Sequence, residues 1–175
     1  MSFERIQLFL ETNPEYGWVL VFLFAFMESM VITGSFMPSL VLFSLCIYLY
    51  NIELLTLPWI CGIAFLGSHV GDVCGFLVGK SLGPTLMNSK FIQKRQKAIS
   101  KTQSFLYRFG PYTVLVGRFI PAIRPLVPFL LGITDLRLKR FYLADLIACF
   151  AWAIVLAVLV VFLPLLVVFL GSIFK

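Results

Sequence analysis

The sequence is poor in charged residues. They make up 13% of its 175 positions, while hydrophobic residues make up 61% and the mean hydropathy is +1.00. Soluble domains carry about 25% charged and about 45–50% apolar residues, so this composition excludes an ordinary soluble domain. The length suits one domain. We therefore expect a single-domain, all-α integral membrane protein.

The sequence also lacks the patterns of metal and disulfide proteins. It has one histidine, His69, and its four cysteines never fall at CxxC spacing; they are Cys46, Cys61, Cys74 and Cys149. Neither a zinc site nor a disulfide framework is indicated. No nucleophile–base set or cofactor motif is visible either. We therefore expect no enzymatic activity, with no catalytic residue, no bound metal and no cofactor.

Acidic residues are missing between Asp72 and Asp135, and half of the 14 basic residues lie in the part of this stretch that covers 80–108. The seven basic positions are Lys80, Lys90, Lys94, Arg95, Lys97, Lys101 and Arg108. The positive-inside rule places 80–108 in the cytoplasm, and its interspersed apolar residues predict an amphipathic segment on the headgroups. This location accounts for the net charge of +6 without a nucleic acid partner.

The segment 110–133 combines an apolar composition with Arg118, Arg124 and several prolines. An arginine at the bilayer centre costs about 2.5–3.5 kcal/mol on insertion scales. A broken backbone at that depth is tolerated only inside protein or beside a wet cavity. Both flanks are basic, which predicts a re-entrant hairpin that returns to the cytoplasm. Its turn would be supplied by Pro121, Pro125 and Pro128.

The apolar run 16–50 is too long for one span of about 20 residues and short for two. Gly34 and Pro38 interrupt it, so we interpret it as another re-entrant hairpin. Glu28 lies before the break. An intramembrane carboxylate indicates a functional site, although a neutral glutamic acid that only packs helices is the alternative.

A spanning helix is predicted over 54–79. Gly67, Gly71, Gly75 and Gly79 recur every four residues and share one face, which permits close helix packing. Asp72 lies beside that face, and His69 lies one turn earlier. A structural histidine is favoured, and a proton-relay role stays open.

A second span is predicted over 141–163, with Asp145 and Trp152 on one face, followed by an apolar tail over 164–175. Residues 1–15 are predicted to form an interfacial helix. Each hairpin is followed by a span, and the two units would have opposite orientations. The order of elements therefore predicts an inverted repeat, as in transporters.

These residues resemble the DedA family of bacterial inner-membrane proteins over most of 16–162. The motifs that carry the resemblance are Gly71-Asp72…Gly75…Gly79…Gly83, Tyr107-Arg108-Phe109-Gly110, Gly117-Arg118-Phe119-Ile120-Pro121…Arg124…Pro128…Gly132, and Asp145…Trp152. The resemblance implies an inverted-repeat fold in the inner membrane. It also implies movement of lipids, either undecaprenyl phosphate or phospholipid, across that membrane.

The family's hairpin acid matches Glu28, and its paired arginines match Arg118 and Arg124. The sequence departs from the family at Pro38-Ser39-Leu40, where Pro-Gly-Glu or Pro-Gly-Asp is usual. It also departs at Asp145, where asparagine is usual. The glycine–tyrosine pair that usually ends the last helix is replaced by an aliphatic run.

We hypothesise that the two hairpin tips form a polar pocket in which Arg118 and Arg124 bind a lipid phosphate, because guanidinium offers fork-shaped donors to phosphate. Glu28 and Asp72 would supply the counter-charge and couple release to pH. The partners would be anionic membrane lipids, with homo-oligomerisation left open. Three alternatives remain: an ion-coupled transporter of small solutes, a structural or assembly factor, and an enzyme acting on lipid phosphates.

Overall fold

The computed structural model describes residues 8, 10, 12–31, 33–34, 39–87, 104–120, 123–134 and 136–173; for 83–87 and 166–173 the description covers the backbone only. Several predictions lie outside these residues. They concern Pro38, Pro121, most of the segment 1–15, and positions 88–103 of the basic segment.

All regular structure in the described residues is helical. The six α-helices are α1 (Gly17–Ser29), α2 (Ser39–Asn51), α3 (Leu57–Met87), α4 (Thr113–Arg118), α5 (Leu126–Ile133) and α6 (Leu138–Ile173). A further helical stretch covers 104–109, and single 3₁₀ turns precede α1 and α4. The all-α class predicted from the sequence is therefore observed.

Two helices, α3 and α6, are long and apolar enough to cross a membrane. The qualifying stretches are Leu57–Leu82 and Leu138–Leu165. Pro58 lies in the first turn of α3, where its missing N–H would have no intrahelical partner. Pro164 lies inside α6, so the helix continues past the predicted end of that span.

The remaining helices form two interrupted pairs. Non-helical backbone separates α1 from α2, and the N–H of Gly34 in that break donates to the carbonyl of Met30 at 2.8 Å. A Cβ at Gly34 would overlap the carbonyl oxygen of Glu28, so the tight turn requires glycine. The second break separates α4 from α5. Pro125 directly precedes α5 and Pro128 is its third residue, which places both where a helix tolerates proline.

Helix α3 is the centre of the packing and contacts α1, α5 and α6. Its glycine face is shared between two neighbours. A Cβ at Gly67 or Gly71 would lie 2.6 or 2.7 Å from carbonyl oxygens of α1. A Cβ at Gly75 would meet Pro128 of α5 at 3.5 Å, and one at Gly79 would overlap the carbonyl of Phe129. The small residues thus bring the backbones of both pairs onto one helix.

Two apolar clusters lie at different levels along α3 and α6. One joins the first pair to Ile60 and Ala64 of α3, and the other joins the second pair to Phe76. On α6 the order is reversed, because Phe141 and Ala148 belong to the second cluster and Leu156 to the first. The buried polar residues of α3 fall between the two clusters.

Candidate functional site

Six ionisable side chains are buried together where the interrupted pairs meet α3 and α6. They belong to Glu28, His69, Asp72, Arg118, Arg124 and Asp145, and none of these residues as a whole is more than 7% exposed. Burying a charge is costly unless it is paired and hydrogen-bonded. The sequence places these residues up to 117 positions apart, so the fold has to bring every pair together.

Arg118 is the last residue of α4, and its Nη1 donates a hydrogen bond to Oδ2 of Asp72 on α3. The same Nη1 lies 3.6 Å from Oδ1 of Asp145 on α6. The side chain of Arg118 is buried, and its guanidinium lies between two carboxyl groups that belong to the two long helices. The arginine thereby ties the end of α4 to both candidate spans.

Arg124 lies in the break between α4 and α5, and its Nη1 donates to Oε1 of Glu28 near the end of α1. The hydroxyl of Ser39, the first residue of α2, donates to the same carboxylate oxygen. Glu28 therefore connects α1 to the start of α2 and to the break between α4 and α5. The two helix breaks lie next to each other at this ion pair.

Trp152 of α6 lies beside both arginines. Its ring centroid is 5.5 Å from the guanidinium carbon of Arg118 and 4.8 Å from that of Arg124. Both distances suit cation–π attraction, which strengthens where water is excluded. The indole therefore stabilises two positive charges that lie next to each other.

Each guanidinium uses one nitrogen and leaves one edge unpaired. Nε and Nη2 of Arg118, and Nε and Nη2 of Arg124, have no hydrogen-bond partner among the described residues. An Nε–Nη2 edge carries two parallel donors, the geometry that binds a carboxylate or phosphate in a bidentate manner. Among the described residues the site thus has two buried guanidinium edges with unpaired donors.

A third buried contact joins α3 to α6. Nδ1 of His69 lies 2.7 Å from Oδ2 of Asp145, and the thiol of Cys149 lies 3.5 Å from that oxygen. These three donors lie within 4.8 Å of one another, close enough to hold a metal ion. The positive charge of Arg118 beside Asp145 opposes a second cation, so we assign no metal to this position.

The space next to the arginines is small. The gap lined by Asp72, Arg118, Arg124 and Pro128 totals about 160 Å³ and is too narrow for a water molecule. The conformation described therefore keeps the ion pairs closed. A phosphate group does not fit beside the unpaired edges in this conformation.

The structure brings several of the residues singled out from the sequence together. Arg118, Arg124, Glu28 and Asp72 meet in one cluster, and Gly34, Pro125 and Pro128 lie at the two breaks. Sequence reasoning did not assign Ser39 or Trp152 to the site. Ser39 had a signal, since it stands in the segment that departs from the family pattern. Trp152 had a weaker one, its position two turns after Asp145 on the same face.

The helices and the buried polar residues define a class of protein: an α-helical membrane protein with a cluster of ionisable side chains enclosed between interrupted helices. The model of the VTT domain matches residues 37–162 of the chain. This match covers more than half of the chain, and we conclude that the protein belongs to the VTT-domain family, the DedA family of membrane proteins.

Individual relatives agree with this assignment. Inner membrane protein YabI of Escherichia coli is 31% identical over 84% of this chain and 58% of its own length. Protein DedA of the same organism is 27% identical over 82% of this chain and 68% of its own length. An uncharacterized membrane protein of Buchnera aphidicola is 35% identical over 78% and 54%.

The chain spans between 54% and 58% of the length of the first relatives it matches, the Buchnera proteins and YabI. No solved structure matches the chain.

Proposed function

We propose that this protein moves a phosphate-bearing lipid headgroup, of undecaprenyl phosphate or a phospholipid, across the bacterial inner membrane. The observation that carries the proposal is the pair of unpaired Nε–Nη2 edges on Arg118 and Arg124, both buried. Buried donors without partners are costly and rare, so these two edges are the strongest candidates for ligand contacts among the described residues. Guanidinium edges select an oxyanion, and lipid phosphates are the abundant oxyanions at membrane depth.

The transport step needs an exchange of partners. In the closed state Arg124 is held by Glu28 and Arg118 by Asp72. An entering phosphate binds the free edges first and then competes with the carboxylates for the remaining guanidinium nitrogen. The lipid tail stays in hydrocarbon while the headgroup passes between the two breaks. No bond is made or broken, so no enzymatic chemistry is required.

Headgroup transfer requires a particular membrane topology. The pairs α1–α2 and α4–α5 would be re-entrant hairpins that enter from opposite faces of the membrane, and α3 and α6 would cross it. The two units would then form an inverted repeat around the arginines, with the basic segment 80–108 in the cytoplasm. The reversed order of the apolar clusters along α3 and α6 supports this arrangement.

A reconstituted vesicle assay tests the proposal. Headgroup translocation is measured with a fluorescent phospholipid and with a polyprenyl phosphate, for native protein, Arg118→Ala and Arg124→Ala. We expect each variant to lose at least about tenfold in rate, because losing a charge-assisted hydrogen bond costs about 1.5–3 kcal/mol. Arg118→Lys and Arg124→Lys keep the charge but lose the fork, and intermediate rates are expected.

Correct folding of each variant is checked by its melting temperature in the same detergent. Native rates from folded Arg118→Ala and Arg124→Ala proteins would refute the phosphate site. Rates that respond instead to a soluble anion, with no lipid movement, would favour a transporter of small solutes.

One observation favours a second candidate function. The ion pairs are closed and the gap beside them admits no water. A structural or assembly factor would use the same cluster only to hold its helices together. That function predicts variants that lose stability and a native protein that shows no translocation at all.

A further inference from the structure

A separate cavity lies at the end of α5, about one helical turn beyond the part of that helix that borders the arginine cluster. Its volume is about 340 Å³, within the usual range of small-molecule sites. It is lined by α3, by the end of α5 and by the segment that leads into α6. The lining residues are Lys80, Gly132, Ile133, Thr134, Leu136 and Arg137.

Backbone packing fixes the walls of this cavity. A Cβ at Gly132 would lie 2.9 Å from the backbone nitrogen of Lys80, so the end of α5 rests directly on α3. Leu136 packs against the second apolar cluster. The carbonyl of Arg137 accepts the N–H of Arg140 at 3.0 Å, where α6 begins. The basic side chains of the cavity therefore extend from backbone that is already held in place, which lowers the cost of binding a ligand.

Lys80 and Arg137 give the cavity its charge. Both are exposed, and neither forms an ion pair with an acid among the residues that the structure describes. The hydroxyl of Thr134 already donates to the carbonyl of Leu131 at 2.6 Å. The ends of α5 and α6 that border the cavity carry partial charges of opposite sign, which offset each other. The two basic side chains therefore favour an anion.

The cavity lies where both candidate spans end. Lys80 is two residues before the end of Leu57–Leu82, and Arg137 directly precedes Leu138–Leu165. Because both residues line one cavity, these two ends lie on the same side of a membrane that α3 and α6 cross. The cavity is then at the level of the lipid headgroups.

The sequence on both sides of the cavity is basic as well. Seven basic residues lie in 80–108 and three lie in 137–140, whereas Asp135 is the one acid between positions 73 and 144. Basic pockets between membrane helices on the cytoplasmic side bind phosphorylated lipid headgroups. Position and charge together favour such a headgroup over a soluble anion.

We propose that Lys80 and Arg137 bind the phosphate of an anionic lipid headgroup in this cavity, at a site separate from the arginine cluster. The binding itself is independent of the proposed function, and only its role in transport rests on that function. Lys80 is eight residues, about 12 Å along α3, from Asp72, which holds Arg118. In the proposed topology a headgroup bound here would load the arginines from the cytoplasmic leaflet.

Native mass spectrometry of the full chain in detergent tests the site with three probes. Dioleoyl phosphatidic acid has both chains and phosphate, dioleoylglycerol has only the chains, and glycerol 3-phosphate has only the soluble headgroup. We expect phosphatidic acid to bind more tightly than dioleoylglycerol, and glycerol 3-phosphate to displace it poorly. Equal affinity for the two lipids would overturn the proposal. Efficient displacement by glycerol 3-phosphate would assign the cavity to a soluble phosphate and would also overturn it.

Charge-removing variants locate the binding. Lys80→Gln and Arg137→Gln should each weaken the binding of one phosphatidic acid about fivefold, and the double variant about 25-fold, the usual contribution of basic residues near anionic lipids. The matched control is the double variant Lys139→Gln with Arg140→Gln. It removes the same charge from exposed positions of the same flank that do not line the cavity, and it should bind as the native protein does. Equal weakening in both double variants would mean that the flank attracts lipid without a defined site.

A structural role for the two basic residues predicts another result. If Lys80 and Arg137 only stabilise the carbonyl end of α5, the glutamine variants should melt at lower temperature and bind phosphatidic acid like the native protein. That result would overturn the proposal. Lys80→Arg and Arg137→Lys keep both charges and should retain the binding, which separates the loss of charge from the loss of fold.

The outcomes also separate this site from the proposed transport. Weaker binding by the glutamine variants of a protein that moves no lipid would support the cavity site while the transport proposal fails. If the protein does move lipid, Lys80→Gln should raise about fivefold the mole fraction of polyprenyl phosphate that gives the half-maximal rate. An unchanged half-maximal mole fraction would refute the loading of the arginines from this cavity.

Discussion

The indole ring of Trp152 lies 4.8 Å from the guanidinium carbon of Arg124. The same ring is 5.5 Å from the guanidinium carbon of Arg118. One aromatic side chain on α6 thus contacts two like charges, one at the end of α4 and one in the break that follows it. Because cations near each other repel, the contact with a shared ring offsets part of the cost of placing them together.

Replacing Trp152 should therefore affect both arginines. Trp152→Leu keeps an apolar side chain but removes the ring, and we expect a loss of about 2 kcal/mol or more of stability. Trp152→Phe keeps a ring and should lose about half as much. Thermal unfolding in detergent measures both. Equal losses in the two variants would show that the ring's charge distribution contributes nothing and that only volume matters.

Removal of the partner of Arg118 has a different consequence. Asp72→Asn leaves the buried guanidinium with one carboxyl group near it, that of Asp145 at 3.6 Å. Breaking a buried pair in this way costs about 3–5 kcal/mol. The melting temperature should fall by about 6 °C or more. Glu53→Gln is the matched control, because Glu53 is an exposed acid in the turn before α3 and should change little. A native melting temperature for Asp72→Asn would mean that Arg118 is not paired in the folded protein.

The position of the site could be predicted from the sequence because its components violate the rules for membrane helices. Arg118, Arg124 and Glu28 are costly in hydrocarbon, and prolines and Gly34 lie near them. Their partners could not be predicted. Asp72 and Arg118 are 46 positions apart, and Glu28 and Arg124 are 96 apart. Helical periodicity fixes which face a residue occupies but not which distant helix covers that face.

The glycine face of α3 illustrates the same limit. Spacing by four predicted close packing at Gly67, Gly71, Gly75 and Gly79 but could not show that two neighbours share the face. The first two glycines meet α1, and the last two meet α5. Gly132 of α5 contributes to the same crossing, since a Cβ there would overlap the carbonyl of Phe76. Close approach requires small residues on both helices.

Substitution of Gly79 should separate the backbones at that crossing. In Gly79→Ala the new Cβ would overlap the carbonyl of Phe129, so α5 has to shift, and overpacking of this kind costs about 1–3 kcal/mol. Gly62→Ala is the control within the same helix, because nothing lies within 4 Å of a Cβ at that position. It should be stabilised by about 0.4–1 kcal/mol. The melting temperatures of the two variants are compared with that of the native protein. If both variants shift in the same direction, the close packing of α3 against α5 at Gly79 is contradicted.

Ser39 supplies the second hydrogen bond to Glu28. Ser39→Ala removes the hydroxyl without changing the helix start, and a hydrogen bond to a charged group is worth about 1.5–3 kcal/mol. We expect a melting temperature lower by about 3 °C or more. Ser44→Ala lies in α2 without an assigned contact to the cluster and is the control. If the two variants have the same melting temperature, the hydrogen bond from Ser39 to Glu28 does not contribute to stability.

The proposed topology predicts which ends of the helices face the cytoplasm. Asn51 ends α2 and Tyr107 lies in the helical stretch 104–109, and both are exposed. Asn51→Cys should react with a membrane-impermeant maleimide in intact spheroplasts, because hairpin α1–α2 would open to the outside. Tyr107→Cys should react only after the membrane is opened. The background replaces the four native cysteines with alanine or serine, so that one thiol is read at a time.

The side of the membrane expected for Asn51 and for Tyr107 follows from the distribution of basic residues along the chain. In the proposed arrangement the seven basic residues of 80–108 lie on the cytoplasmic side, and α3 is the single crossing between Asn51 and Tyr107. If both positions are labelled from the same side, α3 does not cross the membrane between them. The two interrupted pairs would then open to one face, the inverted repeat would be lost, and the arginines could no longer pass a headgroup from one leaflet to the other.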